Sequence, residues 1–226
     1  AGAAPYVSMR TDVRYRVAVV GAELAMAVLA EEPDGCVAVD LESGAFVRAI
    51  HPPLPRDASP APLDVVTAEI ASPLDPPDAA RPEAVQLAAA PTRTGRLTRR
   101  RAERYLQALQ HPPHGPLLGF SGVAIPYWTL SGDRPSVTLV EPAMGPQIRW
   151  GPAGYECRFA WQGTVHELPL GDRRLAASLW RQGVDRCAGR ELTRHLGFRP
   201  QRLLVVLTPP ADGYCYKQVS ALVPAG

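Results

Sequence analysis

Hydrophobic and polar positions alternate with a period of two along much of this chain, the mark of strands buried on one face. In Tyr155–Trp161, Tyr155, Cys157, Phe159 and Trp161 alternate with Glu156, Arg158 and Ala160. Thr164–Leu170 follows after the tight turn Gln162-Gly163, and Ser136–Glu141 reads as the first strand of this group. Cys36–Leu41 and Ala45–Ile50 form the clearest hairpin; Glu42-Ser43-Gly44 joins them, the glycine supplying positive φ. Val37, Val39 and Leu41 share one face, Cys36, Ala38 and Asp40 the other, and Phe46, Arg48 and Ile50 share a face of the returning strand. Tyr15–Ala22 reads as a strand, Glu23–Ala30 as a short helix, and Leu63–Ile70 and Glu83–Ala88 as further strands. Arg202–Leu207 and Tyr214–Val223 are the last two.

Helical periodicity enters at three places. Thr98 is placed to cap a helix in which Ala102, Tyr105, Leu106 and Leu109 form an apolar stripe, with Arg100 and Arg104 on the opposite side and Arg101 on the flank. His111-Pro112-Pro113 ends it. Asp172 is placed to cap a second helix, striped by Leu175 and Leu179 and stopped at Gly183; a third piece runs from about Asp185 to Leu196, closed by Gly197. Three strands, a helix and two strands is the order of an OB-fold barrel, and the first half repeats the strand count without the helix. The expected architecture is therefore mainly β with a few short helices: two OB-like small β-barrels packed together. The first spans 9–90 with a proline-rich insertion, since nine prolines fall within 51–82. An arginine-rich helical connector covers 91–118, and the second barrel 119–226.

Composition narrows the chemistry. The formal net charge of +2 rules out a global field for polyanions, so a basic patch must be local. Of the basic residues, all but Lys217 are arginine, and asparagine is absent, a bias that reads as a GC-rich genome. Cys36, Cys157, Cys187 and Cys215 stand far apart without a CxxC pair; they read as buried thiols of a reducing cytoplasm, not as zinc ligands. The apolar runs Arg16–Leu29 and Leu203–Leu207 are too short or too interrupted to span a bilayer, and Ala1–Ser8, before Met9, shows no leader pattern. His111, His114, His166 and His195 lack acidic partners at ligand spacing, so no metal is expected. No phosphate loop is present, and Gly119-Phe120-Ser121-Gly122 falls short of a nucleophile elbow, so neither a cofactor nor a catalytic residue is expected.

Three blocks carry a resemblance. The stretch DGCVAVDLESGAFVRAI at 34–50, YECRFAWQGTVHELPLGD at 155–172 and DGYCYKQVSAL at 212–222 resemble, in order, segments of the dual OB-containing domain family, poorly characterised prokaryotic proteins. That resemblance implies a bacterial nucleic-acid binder with no established catalytic residues. The chain departs from the family pattern in its proline-filled 51–82 segment and in HELPLGD, which lacks the threonine before Asp172.

The candidate binding residues are Arg48, Arg96, Arg100, Arg101, Arg104, Tyr214, Tyr216 and Lys217. The run 93–104 holds six arginines against Glu103, a supply of phosphate contacts without sequence discrimination. Tyr214 and Tyr216 share a face on which rings could stack on bases. Lys217 shares the other face with Cys215, Val219, Ala221 and Val223, the side expected to point into the barrel, where an ammonium snorkels to the rim or meets a carboxylate or an anion. Arg48 either pairs with Asp40 across its hairpin or presents a fork to a phosphate or carboxylate. The expected function is a non-enzymatic module binding nucleic acid or a nucleotide. Its rivals are a protein-interaction scaffold built on the proline-rich segment and an enzyme centred on Lys217.

Overall fold

The computed structural model describes residues 20–54, 59–74 and 77–224. With 47% strand and 17% helix the chain is mainly β, formed as a closed five-stranded barrel and a half-barrel, consistent with OB-like barrels. The closed barrel comprises β1 (Glu23–Glu32), β2 (Gly35–Asp40), β3 (Phe46–Ile50), β4 (Asp64–Pro73) and β5 (Ala84–Leu87) in the order β1-β2-β3-β5-β4, with β4 returning to pair with β1. The β3–β5 pair is parallel and the others antiparallel. Among the described residues no helix lies between β3 and β4, where an OB barrel carries one. β6 (Thr92–Arg96) extends the same sheet beyond β4, so Arg93 and Arg96 lie on a strand and not on the expected helix.

The half-barrel runs β9 (Met144–Gly151), β10 (Gly154–Trp161) and β11 (Thr164–Pro169), then β13 (Pro200–Leu207) and β14 (Tyr214–Pro224). β11 meets β14 through a parallel bridge at Leu170 and Val219 and through the Gly171 N–H donating to Val219 O at 2.7 Å. It stays open because other strands occupy the two edges that would close it. β8 (Val137–Val140) pairs with β13, and β12 (Arg186–Ala188) with β9. Ser136–Glu141 is thus an edge strand on β13, and the true first strand is Met144–Gly151. β7 (Ala124–Pro126) lies on the start of β14.

Three helices complete the chain: α1 (Arg99–Ala108), α2 (Arg173–Arg181) and α3 (Gly189–Leu196). Asp172 caps α2 as expected, its carboxylate accepting from the Leu175 N–H at 2.9 Å. Thr98 precedes α1 without a side-chain cap bond. The third helix is shorter than expected, because residues 186–188 form β12.

Three apolar cores hold these elements. One fills the closed barrel around Leu24, Met26, Ala38, Val47 and Ile70. A second fills the half-barrel around Ile148, Cys157, Phe159, Leu168 and Val219. The third is the seam, where Ala27, Leu29, Val37 and Val39 on the outside of the first barrel meet Leu139, Leu204, Val206, Ala221 and Val223, with Leu106 of α1 laid across them. β1 is therefore buried on both faces. This corrects the helix expected at Glu23–Ala30: its Glu, Leu, Ala and Met are helix formers, and with apolar partners on both sides the period of two disappears. The strand expected at Tyr15–Ala22 lies up to position 19 outside the described residues, as do Ala1–Ser8 and Met9, and Val20 and Gly21 form a turn.

Gly35 marks the tightest approach in the first barrel. A Cβ there would come within 1.9 Å of Ala49 O on the paired strand. Backbone must move to relieve such a clash, so Gly35→Ala is expected to cost about 2 kcal/mol, of the order of core overpacking. A urea midpoint unchanged from wild type would refute this.

Candidate functional site

α1 is an amphipathic helix whose inner stripe, Ala102 and Leu106, is buried on the seam. The Tyr105 hydroxyl donates to Leu41 O at 2.9 Å, and Glu103 receives both arms of the buried Arg202 at 2.5 and 2.9 Å. These contacts fix the rotation of the helix and turn Arg100, Arg101 and Arg104 to solvent, within an arc of roughly 100°. With Arg99 they form no ion pair with any described residue. Arg93 and Arg96 differ: both reach the buried Asp64 of β4, at 2.9 and 3.3 Å, while remaining more than half exposed.

Arg96 also lines a cavity of about 440 Å³ between the two barrels. Its floor is Val28, Leu29, Ala221 and Leu222, and Arg173, Arg174 and His195 of α2 and α3 stand around it. Arg174 ties the half-barrel to the first barrel, pairing with Glu31 at 3.3 Å and donating to Ser59 O at 2.9 Å. Sequence reasoning passed over these arginines. The available signal was Asp172-Arg173-Arg174, a cap followed by two cations in a first helical turn, where acids are the favoured residues.

Tyr214 and Tyr216 point outward from β14, about two-fifths exposed, as alternation predicts. They are joined by Trp128, which the sequence did not single out. Trp128 is 70% exposed and meets Tyr214 edge-on with centroids 5.7 Å apart. Gly213 makes this possible: it holds φ at +81°, and a Cβ there would lie 3.0 Å from the indole. Trp150 of β9 and Trp180 of α2 are also exposed, 5.1 Å apart.

Lys217, 2% exposed, faces the half-barrel interior beside Cys215 and Val219 as alternation predicts. Ala221 and Val223, expected on the same face, turn instead to the seam because the β13–β14 register shifts between Val219 and Ala221. Lys217 Nζ donates to Phe120 O at 2.7 Å and lies 4.0 Å from the centre of the Phe120 ring. No described carboxylate pairs with it, and burial pushes the amine down to about 8. The lysine therefore neither reaches the rim nor meets a carboxylate, and it sits on the face opposite to the two tyrosines.

Arg48 is 1% exposed and acts as a strut. Nε lies 3.0 Å from Glu83 Oε1 and Nη2 lies 3.7 Å from Glu32 Oε1. Nη2 also donates to Leu207 O at 2.9 Å and Ser136 O at 3.4 Å, across the seam. Ser136 Oγ completes the set by donating to Glu83. The expected Asp40 pairing is not formed. Asp40 instead accepts from the Glu42 N–H at 3.1 Å and from Ser43, shaping its own turn. Enclosed in this way, Arg48 presents no fork to a ligand.

All four cysteines are buried free thiols, with burial raising Cys36 and Cys157 to about 12. Among the described residues no group of three metal-ligating side chains converges, and no helix is long and apolar enough to cross a membrane. Compared with known proteins, the chain matches no family model, no curated protein and no solved structure.

Proposed function

We propose that this chain is a nucleic-acid-binding module, with phosphates held on the arginines of α1 and bases stacked on Tyr214, Tyr216 and Trp128. The observation that carries this reading is the exposed α1 face, where Arg99, Arg100, Arg101 and Arg104 have no acidic partner among the described residues. Several arginines near α1 or in the core are matched instead: Arg93 and Arg96 to Asp64, Arg202 to Glu103, Arg48 to Glu83. An unmatched cationic face next to Arg96 and the inter-barrel cavity suits a phosphate chain, and OB-like barrels suit extended strands. The three exposed rings supply the sequence-tolerant stacking of single-strand binding. Four buried free thiols accord with the reducing cytoplasm that goes with this function.

The test is fluorescence anisotropy with a labelled single-stranded oligonucleotide and its duplex across a salt series. Each phosphate contact on a single strand contributes a slope of about −0.7 in log K against log salt. A slope of about −2 or steeper is expected. Absent or salt-insensitive binding would remove the reading.

A protein partner is the second reading, favoured by one observation. Trp150 and Trp180, 46% and 65% exposed and 5.1 Å apart, form an aromatic pair of the kind that anchors interfaces.

A further inference from the structure

Each half of the molecule contributes a β-bulge to the wall of the cavity between the barrels. On β1, Val28 pairs with Ala38 and Ala30 with Val37, so Leu29 is the extra residue. On β14, Val219 pairs with Val205 and Ala221 with Leu204, so Ser220 is the extra residue. Both Leu29 and Ser220 line the cavity of about 440 Å³. A bulge breaks the ladder and re-aims a side chain, and bulges gather beside functional sites.

Ser220 is 5% exposed, yet its hydroxyl has no hydrogen-bond partner among the described residues. A buried hydroxyl left unpaired is costly, and alanine would fill the position without that cost. The wall beside it is apolar: Leu29, Ala221 and Leu222 are no more than 3% exposed. The rim is open and cationic, with Arg174 and Arg96 exposed by 47% and 55% and Arg173 exposed beside them. Arg174 and Arg96 are committed to Glu31 and Asp64, and Asp172 to the Leu175 N–H. Arg173 has no partner among the described residues. Set against Glu31 and Asp172, the three arginines leave the cavity with one positive charge in excess.

An apolar floor, an unpaired buried hydroxyl and one surplus cation at an open rim suit an apolar body with a single anionic head. We propose that the cavity between the barrels binds a small organic monocarboxylate. Its hydrocarbon body covers Leu29, Ala221 and Leu222, and its carboxylate accepts from the Arg173 guanidinium and the Ser220 hydroxyl. A phosphate monoester, with close to two negative charges, exceeds what the cavity neutralises. The site uses no residue of α1 and none of the three exposed rings, so it stands or falls apart from nucleic-acid binding.

Isothermal titration calorimetry of the full chain with hexanoate, octanoate, octanol and adenosine monophosphate tests this. One saturable site is expected for octanoate, with affinity about fifteenfold above hexanoate, since each buried methylene contributes about fourfold. Octanol should bind about tenfold more weakly than octanoate, the size of a charge-assisted hydrogen bond. Arg173→Gln should cost octanoate about tenfold and leave octanol unchanged, and Ser220→Ala should cost octanoate about threefold to tenfold. Neither variant should lower the urea midpoint, because Arg173 is exposed without a partner and Ser220→Ala removes an unpaired buried hydroxyl. Three outcomes would overturn the proposal: no saturable heat with octanoate at millimolar concentration, octanoate binding that both variants leave unchanged, or tighter binding of adenosine monophosphate than of octanoate. The second of these would mean adsorption to exposed apolar surface only.

Discussion

Arg48→Ala is expected to destabilise the fold by about 3–5 kcal/mol, the range for removing one partner of a buried ion pair. The loss exceeds that of a single interaction because the guanidinium serves both halves of the molecule. Without it Glu83, 1% exposed, keeps a buried charge beside Glu32, and the carbonyls of Ser136 and Leu207 lose a donor at the seam. Urea unfolding of the variant beside Arg174→Ala gives the comparison. Arg174 pairs with Glu31 but both are more than a third exposed, so its removal should cost less than about 1 kcal/mol. Equal costs would mean that Arg48 is no strut. A double change of Arg48 and Glu83 to apolar residues of similar size should recover much of the loss, because it removes the stranded acid together with its partner.

The second large effect is on binding. Arg100→Glu, Arg101→Glu and Arg104→Glu together should lower oligonucleotide affinity by about a hundredfold or more at moderate salt, since three attractions become three repulsions. The corresponding alanine triple separates attraction from repulsion: removing each arginine from its phosphate should flatten the single-strand salt slope by about 0.7. Thermal unfolding should barely change, because the three side chains project from the side of α1 opposite Ala102 and Leu106 and make no ion pair with a described residue. If the triple alanine variant keeps wild-type affinity and slope, α1 is a solvated helix face and nothing more.

What could be read in advance follows from where each residue's partners lie. Strands with one wet face were legible: the alternation in Tyr155–Trp161 and in the first half of β14 placed Cys157, Phe159, Cys215 and Lys217 inside and Tyr214 and Tyr216 outside. β1 was not, because its second face is covered by strands more than a hundred residues later in the chain, and a chain buried on both sides loses its period. β9 was passed over: Gly145 and Pro146 near its start are residues depleted in strands. The Arg48 strut was beyond local reasoning, since its acceptors are 88 and 159 residues away. The burial of Lys217 could be inferred from alternation, but the carbonyl and ring that receive it come from a loop 97 residues earlier, which no periodicity locates.

The seam core has a consequence for how this chain can change over time. Most small β-barrels are interchangeable parts, able to be duplicated, permuted or fused because each keeps its apolar surface to itself. Here Leu29, Val37 and Val39 of one barrel and Leu204, Val206 and Val223 of the other are all buried in a single shared layer. Neither half can leave without exposing that layer to water, so insertions and exchanges are confined to the outer loops, and the two halves must be inherited as a pair.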